Sequence, residues 1–167
     1  MDFLLAIVLI ALVVLVTFIY AGFRGAPWVP TKKGDVERFL RLAKLKPDAV
    51  LYDLGCGDGR IVRAAATAGA RATGFEVSIL PYLMARIRLI GSRARVRFRD
   101  FWFVNLHDAD VIYFFLMPAI TEKMKTKLER ELKTGAKIIS YVWPIDGWTP
   151  VTVDSVPRSP NLYVYQR

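Results

Sequence analysis

The sequence predicts an α/β fold: a doubly wound, mostly parallel sheet that ends in an antiparallel hairpin and is preceded by one transmembrane helix. Three observations lead to this prediction. Apolar runs of strand length alternate with segments of helical periodicity along most of the chain. A glycine-rich turn follows the first of these runs. An apolar stretch without a charged residue extends from Phe3 to Phe23.

The composition limits the class of protein. The chain has 167 residues, which is enough for one domain and an appendage. Its formal net charge of +9 indicates an anionic partner, such as a membrane surface, nucleic acid or an acidic protein. One cysteine, Cys56, excludes an internal disulfide and a cysteine-based zinc cluster. The one histidine, His107, lies in a polar loop, so we expect no metal site.

The N-terminal apolar stretch predicts a membrane anchor. A helix needs about 20 apolar residues to cross a bilayer, and the stretch has that length. A cleaved signal peptide begins with basic residues, whereas the early charge here is Asp2. A signal peptide and a buried helix are the alternatives. Because Arg24, Lys32 and Lys33 follow the stretch, the positive-inside rule places the rest of the chain in the cytoplasm.

The chain therefore divides into three parts. We expect a single-pass anchor at 1–24, a proline-containing linker at 25–33 and an α/β domain at 34–167. Two prolines hold the linker extended. Trp28 lies between them, and it suits either an interfacial anchor near the lipid headgroups or a wall of the active-site mouth.

Strands and helices of the domain alternate in the order that a parallel sheet requires. Strands are predicted at Ala49–Leu54, Arg71–Glu76, Arg95–Arg99, Val111–Leu116 and Ala136–Trp143. Helices are predicted at about Gly34–Leu45, Gly59–Ala68, Ile79–Ile90 and Ile120–Leu132. After the fifth strand, Thr149–Ser155 and Leu162–Gln166 alternate in polarity and can pair as a closing hairpin.

The topology predicts where a ligand binds. In such a sheet it lies beyond the carboxyl ends of the parallel strands, where the strand order changes direction. Five segments follow the predicted strands at this edge: Asp53–Gly59, Glu76–Ser78, Asp100–Trp102, Leu116–Pro118 and Trp143–Pro144. These segments contain most of the candidate site residues.

The glycine-rich turn indicates a ligand that the backbone approaches closely. Gly55, Gly57 and Gly59 permit a tight turn that presents backbone N–H groups and a helix N-terminus. The carboxylate of Asp53, just before them, repels a pyrophosphate but suits an ammonium or sulfonium group. Arg60 stands where a dinucleotide fingerprint requires glycine or alanine. These features argue against NAD.

Acids at two further strand ends favour S-adenosylmethionine. Glu76 can accept both ribose hydroxyls of an adenosine. Asp100, with Phe101 or Trp102, can hold an adenine by its exocyclic amine and its ring face. The expected cofactor-binding residues are Asp53, Gly55, Gly57, Asp58, Gly59, Glu76, Val77, Asp100, Phe101 and Leu116. Asp58 suits a helix N-cap as well as it suits a ligand contact.

The motif Asp53-x-Gly-x-Gly-x-Gly59, with Glu76 ending the next strand, resembles that of the Rossmann-like S-adenosylmethionine-dependent methyltransferases, over about residues 34–167. Pro27-Trp28-Val29-Pro30-Thr31, the turn at 52–62 and the helix end at 127–135 resemble one subgroup. That subgroup holds small archaeal protein lysine methyltransferases and mitochondrial enzymes that methylate lysines of membrane proteins, namely the ADP/ATP carrier and the c-subunit of ATP synthase. The resemblance implies a protein lysine N-methyltransferase acting at a membrane.

The end of the fourth strand bears on the kind of amine that is methylated. Methyltransferases of adenine N6 or of glutamine amides carry an Asn/Asp-Pro-Pro-aromatic element here, whose acceptors hold a planar nitrogen. Leu116, Met117 and Pro118 provide no such acceptor. A lysine ε-amine needs none, because an apolar, aromatic slot lowers its pKa from about 10.4. The remaining requirement is in-line alignment of nitrogen, methyl and sulfur.

Aromatic residues near the strand ends are expected to form this slot. The expected catalytic residues are Trp28, Tyr141, Trp143, Asp146 and Trp148, with Phe114 as a further slot aromatic. Core packing is the alternative for the aromatic residues. Asp146 suits either the orientation of the amine or the turn before Gly147.

The expected partners are a protein substrate that presents a lysine, with a membrane protein as one candidate, and the lipid bilayer. A run of arginines suits nucleic acid or anionic lipid: Arg86, Arg88, Arg93, Arg95, Arg97 and Arg99. The predicted anchor favours lipid, so we expect no nucleic-acid partner. Two other functions fit the same site. One is a methyltransferase that acts on a lipid or quinone, and the other is a noncatalytic module that binds S-adenosylmethionine.

Overall fold

A computed structural model of the chain describes residues 3–167. Residues 1 and 2, which the predicted anchor includes, lie outside this range. The helices are α1 (Phe3–Arg24), α2 (Lys33–Ala43), α3 (Arg60–Thr67), α4 (Ile79–Arg88) and α5 (Thr121–Glu131). The strands are β1 (Val50–Leu54), β2 (Arg71–Glu76), β3 (Arg95–Phe98), β4 (Val111–Phe114), β5 (Lys137–Tyr141), β6 (Thr152–Asp154) and β7 (Leu162–Gln166).

The seven strands form one sheet in the order β3-β2-β1-β4-β5-β7-β6. Strands β1 to β5 are parallel, β7 is antiparallel to β5, and β6 is antiparallel to β7. The predicted doubly wound sheet with a closing hairpin is confirmed. Strand β5 ends two residues before the predicted Trp143, since Val142 adopts a φ of 75°, which is outside the extended region.

The alternation of side chains along the strands builds an apolar layer on each face of the sheet. In β4, Val111 and Tyr113 face the layer that contains α2 and α3. Ile112 and Phe114 face the opposite layer, where they meet Leu128 of α5. Because both faces are covered, the central strands are apolar at nearly every position, as parallel strands require.

Helix α1 has the length and composition of a membrane-spanning helix. Its most apolar window has a mean hydropathy of 3.1, and none of that window is buried in the structure. Its last turns contact the domain. The hydroxyl of Thr17 accepts a hydrogen bond from the N–H of Ile79 at 3.3 Å, and Arg24 Nε lies 2.8 Å from Asp100 Oδ2.

The segment that follows α1 is extended and packs onto the domain. The carbonyl of Gly25 accepts a hydrogen bond from the N–H of Met117 at 3.0 Å. The indole of Trp102 donates to the carbonyl of Arg24 at 2.7 Å. The guanidinium of Arg60 donates to the carbonyl of Thr31. These contacts fix both ends of the segment beside the carboxyl edge of the sheet.

Replacing Gly74 in β2 by alanine is expected to reduce the free energy of unfolding by about 1–3 kcal/mol, the usual cost of overpacking. The added Cβ would lie 2.5 Å from Cys56 Sγ and 2.8 Å from Val62 Cγ2. Denaturant unfolding of the full chain in detergent measures the change. Gly34→Ala is the matched control, because nothing lies within 4 Å of its added Cβ. Equal stability of the two variants would contradict this packing.

Candidate active site

A cavity lies at the carboxyl ends of β1, β2 and β4. The strand order changes direction between β1 and β4, so the cavity occupies the switch point of the sheet. Its walls are the glycine turn after β1, the residues that end β2 and β4, the segment 25–31, and the last turn of α1. The edge of the sheet at which the sequence predicts the site therefore contains a cavity.

The glycine turn has backbone conformations that favour glycine. Gly55, Gly57 and Gly59 have φ values of 81°, 53° and 75°. At Gly57 there is a second constraint, because an added Cβ would lie 2.6 Å from the indole of Trp28. The turn thus lets Trp28 approach the backbone closely at the floor of the cavity.

The carboxylate of Glu76 holds the turn against the end of β2. Its Oε2 accepts the N–H of Gly57 at 2.8 Å. Its Oε1 accepts the N–H groups of Val77 at 2.9 Å and Ser78 at 2.7 Å. Each carboxylate oxygen has two lone pairs, so Oε2 retains capacity for one further donor from a ligand.

The carboxylate of Asp53 opens onto the cavity and has no hydrogen-bond donor among residues 3–167. The residue is 2% exposed and lines the cavity. Burial, together with the nearby charges of Glu76 and Asp58, raises its pKa well above the ordinary value. A cation in the cavity would supply the missing partner. This chemistry fits the positively charged S-adenosylmethionine, for which Phe101 and Leu116 add apolar surface.

Asp58 lines the cavity but is already paired. Its Oδ2 lies 2.5 Å from Arg60 Nη2 and 2.8 Å from Arg88 Nη2. Although burial acts in the opposite direction, hydrogen bonding and charge from Arg60 and Arg88 lower the pKa of Asp58. It makes no side-chain cap to α3, whose N-cap is Gly59. The N-cap alternative for Asp58 is therefore wrong.

Two of the expected cofactor residues lie outside the cavity lining. Gly59 faces α4, where an added Cβ would meet Ala85 Cβ at 3.1 Å. Asp100 is bound by its neighbours. Its Oδ2 accepts hydrogen bonds from the hydroxyl of Tyr20 and from Arg24 Nε, both at 2.8 Å, and its Oδ1 accepts the N–H of Trp102 at 2.9 Å. The other eight expected cofactor residues line the cavity.

Of the five expected catalytic residues, Trp28 lines the cavity. The buried hydroxyl of Tyr141 donates to Asp35 at 2.7 Å, on the face covered by α2. Trp148 packs on Tyr165, with ring centroids 5.7 Å apart.

The remaining candidates also lie apart from the cavity. Trp143 and Asp146 are exposed in the loop after β5, and neither belongs to the cavity lining. Phe114 is 1% exposed in the core beneath α5. The catalytic role of Tyr141, Trp143, Asp146 and Trp148 stays a prediction without a contact to the cavity.

Several lining residues were not expected from the sequence. They come from the last turn of α1, from the segment after it and from the buried end of β4: Ala21, Arg24, Val29, Thr31, Tyr113 and Phe115. Burial raises the pKa of Tyr113 well above its ordinary value, so its hydroxyl is neutral. Its oxygen lies 3.4 Å from Thr31 Oγ1. In the sequence, the apolar Pro-Trp-Val-Pro run of the linker is the feature that could have indicated this wall of the cavity.

Comparisons with known proteins identify the family of the chain. Residues 53–152 match the family model described as the ANTKMT methyltransferase domain. A protein-lysine N-methyltransferase of Saccharolobus islandicus is 36% identical over 148 residues, which cover 83% of this chain and 92% of the relative. The adenine nucleotide translocase lysine N-methyltransferase of Mus musculus is 37% identical over 145 residues, which cover 79% of this chain and 62% of the relative.

A lysine N-methyltransferase of Homo sapiens, named for the c-subunit of ATP synthase, is 32% identical over 130 residues, which cover 74% of this chain and 54% of the relative. The chain thus spans less than two thirds of the mouse and human relatives. A solved structure, described as an RNA methyltransferase from Salinibacter ruber in complex with S-adenosyl-L-homocysteine, has a TM-score of 0.78 and 32% identity. The matched region covers 83% of this chain and 93% of the Salinibacter ruber chain.

A more distant structure bears on the fold alone. The precorrin-6y C5,15-methyltransferase of Geobacter metallireducens has a TM-score of 0.63 at 17% identity, and the match covers 81% of this chain and 87% of that chain.

The family match spans more than half of the chain and includes the glycine turn and Glu76. The chain belongs to the ANTKMT methyltransferase family, among the protein-lysine N-methyltransferases, and is an S-adenosylmethionine-dependent enzyme.

Proposed function

We propose that this enzyme methylates a lysine ε-amine of a membrane protein at the bilayer surface. Helix α1 spans the membrane once, and the α/β domain lies in the cytoplasm. One observation carries the proposal: the cavity that contains Asp53 is bounded by Ala21 and Arg24, in the last turn of the apolar helix. A substrate lysine that reaches this cavity therefore lies close to the end of the membrane span.

The proposed cofactor contacts follow from the cavity walls. The Asp53 carboxylate binds the positively charged end of S-adenosylmethionine, and Glu76 Oε2 accepts a ribose hydroxyl. Phe101 and Leu116 pack on the adenine, while the backbone of Gly55, Gly57 and Val77 faces the ligand. Asp58 and Asp100 hold the surrounding turns rather than the ligand, since they pair with Arg60 and Arg24. Gly59 faces α4 instead of the cavity.

The proposed chemistry needs alignment more than a strong base. Bound S-adenosylmethionine supplies an electrophilic methyl group: as the neutral amine nitrogen bonds to that carbon, the carbon–sulfur bond breaks and its electron pair stays on sulfur. Trp28 and Phe115 exclude water around the amine, which lowers its pKa so that its proton leaves to solvent beforehand. The neutral hydroxyl of Tyr113 accepts a hydrogen bond from the amine and orients its lone pair.

The relatives support a membrane-protein substrate. Two of them are named for lysines of the adenine nucleotide translocase and of the ATP synthase c-subunit. The loop after β4, from Phe115 to Pro118, has no side-chain carboxylate or amide to hold a planar nitrogen. Both points favour an sp³ amine over an adenine or an amide.

RNA is the second candidate substrate. The solved relative from Salinibacter ruber is described as an RNA methyltransferase, and residues 77–99 of this chain carry six arginines without an acidic residue. A basic surface of this kind attracts a phosphate backbone. The protein-lysine relatives and the apolar end of α1 make this candidate the weaker one.

Incubation of the full chain with membranes and methyl-labelled S-adenosylmethionine tests the proposed substrate. Label is expected in a membrane protein, and mass spectrometry is expected to locate it at a lysine Nε. A parallel sample of total RNA from the same cells serves as the competing substrate. Label confined to RNA or to the lipid extract would overturn the proposal.

Asp53→Asn is expected to weaken binding of S-adenosylmethionine by about 10- to 100-fold, because the variant loses a charge-assisted hydrogen bond to the ligand. The same change is expected to raise the thermal midpoint of the ligand-free protein at neutral pH. Titration calorimetry and thermal unfolding measure the two effects. Asp48→Asn is the matched control, since Asp48 is exposed and its φ of 60° is one that asparagine tolerates. Unchanged affinity in Asp53→Asn would remove Asp53 from the site.

The raised pKa of Asp53 also predicts how pH acts on the ligand-free protein. The folded state holds this proton more tightly than the unfolded state, so stability is lost as pH rises from about 4 through the folded pKa. A cationic ligand favours the ionised carboxylate, so binding is expected to release protons below that pKa. Calorimetry in buffers of different ionisation enthalpy detects the release. Its persistence in Asp53→Asn would assign the proton to another group.

A further inference from the structure

An exposed apolar surface lies beside the C-terminal end of α1. We call it the collar, and its members are Leu80, Leu83, Phe98 and Phe103, which are 44%, 49%, 51% and 68% exposed. Two come from α4, one ends β3, and one follows β3. Phe98 packs on Tyr82 of α4, with ring centroids 5.2 Å apart, so the end of β3 is in contact with the helix that carries Leu80 and Leu83.

Two contacts connect the collar to α1. The N–H of Ile79, which precedes Leu80, donates to the hydroxyl of Thr17 at 3.3 Å. The guanidinium of Arg24 lies 5.7 Å from the ring centroid of Phe103. The collar is therefore continuous with the lateral surface of the apolar helix.

The position of Thr17 gives the depth of the collar. Thr17 lies seven residues before Arg24 (24 − 17), where α1 ends. At a rise of about 1.5 Å per residue, this is about 10 Å along the helix. Amphipathic surfaces enter the boundary between headgroups and acyl chains to a depth of about 5–10 Å. When α1 spans a bilayer, the start of α4 thus lies about 10 Å below Arg24, at the boundary between headgroups and acyl chains.

The charge around the collar has the sign that anionic lipid attracts. Residues 77–99 contain six arginines and no aspartate or glutamate. Arg86, Arg97 and Arg99 are exposed. Arg86 donates to the hydroxyl of Tyr82 at 3.2 Å, and Arg97 and Arg99 flank Phe98 in the chain. Within residues 3–167, the ion pair found for this segment joins Arg88 to Asp58. Each exposed basic side chain near an anionic leaflet adds to membrane attraction.

We propose that the collar rests in the headgroup layer of an anionic bilayer, as a second membrane contact beside α1. The proposal depends on the proposed function in one respect, the insertion of α1. Continuity with α1 and the arginines favour lipid over a second copy of this chain or an RNA. With two contacts, the domain cannot swing freely about α1, and the cavity keeps one orientation to the membrane surface.

Site-directed fluorescence in vesicles tests the collar. The full chain is reconstituted into equal parts of phosphatidylcholine and phosphatidylglycerol. A bimane label is attached at Leu83→Cys or Phe103→Cys, and Thr67→Cys is the control because Thr67 is exposed at the opposite edge of the sheet. The native Cys56 is buried, so the unsubstituted chain measures background labelling. Leu12→Cys in α1 reports insertion.

Nitroxide lipids labelled in the headgroup are expected to quench the Leu83 and Phe103 positions. Aqueous iodide is expected to quench these positions about threefold less than Thr67, because the headgroup layer shields them. If both positions behave like Thr67 while acyl-chain nitroxides quench Leu12, the collar is free in water and the proposal is overturned. If acyl-chain nitroxides do not quench the Leu12 position, α1 is not inserted in the bilayer, and both the proposed function and the collar proposal are contradicted.

Shielding from iodide without headgroup quenching would mean that another copy or a partner covers the collar, which also overturns the proposal.

A separate experiment tests the contribution of the arginine charges. The triple variant Arg86→Gln, Arg97→Gln, Arg99→Gln is expected to restore much of the iodide quenching at Leu83, as is a bilayer of phosphatidylcholine alone. An unchanged pattern in both would remove anionic lipid as the partner.

Discussion

The carboxylate of Glu76 is the interaction on which the site depends. It accepts three backbone N–H groups, one from the glycine turn after β1 and two from the turn after β2. Charge-assisted hydrogen bonds of this kind are about twice as strong as neutral ones, and two of the three are buried. They fix two adjacent loops relative to each other. The turn against which Trp28 packs and the start of α4 take their positions from these loops, beside Asp53 in β1.

The parts of this protein that the sequence predicts are those with a local signal. Strand and helix periodicity indicates the parallel sheet, and the polarity of Leu162–Gln166 indicates the closing hairpin. The order Asp53, glycine turn, Glu76 indicates a cationic nucleoside, because each residue type has a direct chemical reason at a strand end. The apolar composition of α1 is itself a local signal. These inferences need no knowledge of which strands are neighbours.

The features that the sequence does not specify depend on contacts between distant segments. Neighbouring strands lie about 4.8 Å apart, so the end of β5 is about 10 Å from that of β1. Residues after β5 therefore lie away from the cavity, but the strand order that sets this distance is not readable from periodicity. The composition of residues 25–33 predicts a linker. In the structure Trp28 of this segment lies against Gly57, and Arg60 donates to the carbonyl of Thr31. No pattern in either segment specifies its partner.

The contact between Asp100 and the last turns of α1 has a consequence for how the protein can evolve. An unrelated apolar helix of equal length would still insert into a bilayer, but it would lack the hydroxyl of Tyr20 and the guanidinium of Arg24 that hold Asp100. Helix α1 is thus not interchangeable with another apolar helix. The first helix and the contacts that hold Asp100 are inherited as one unit, so gain or exchange of this helix is constrained by the chemistry of the domain behind it.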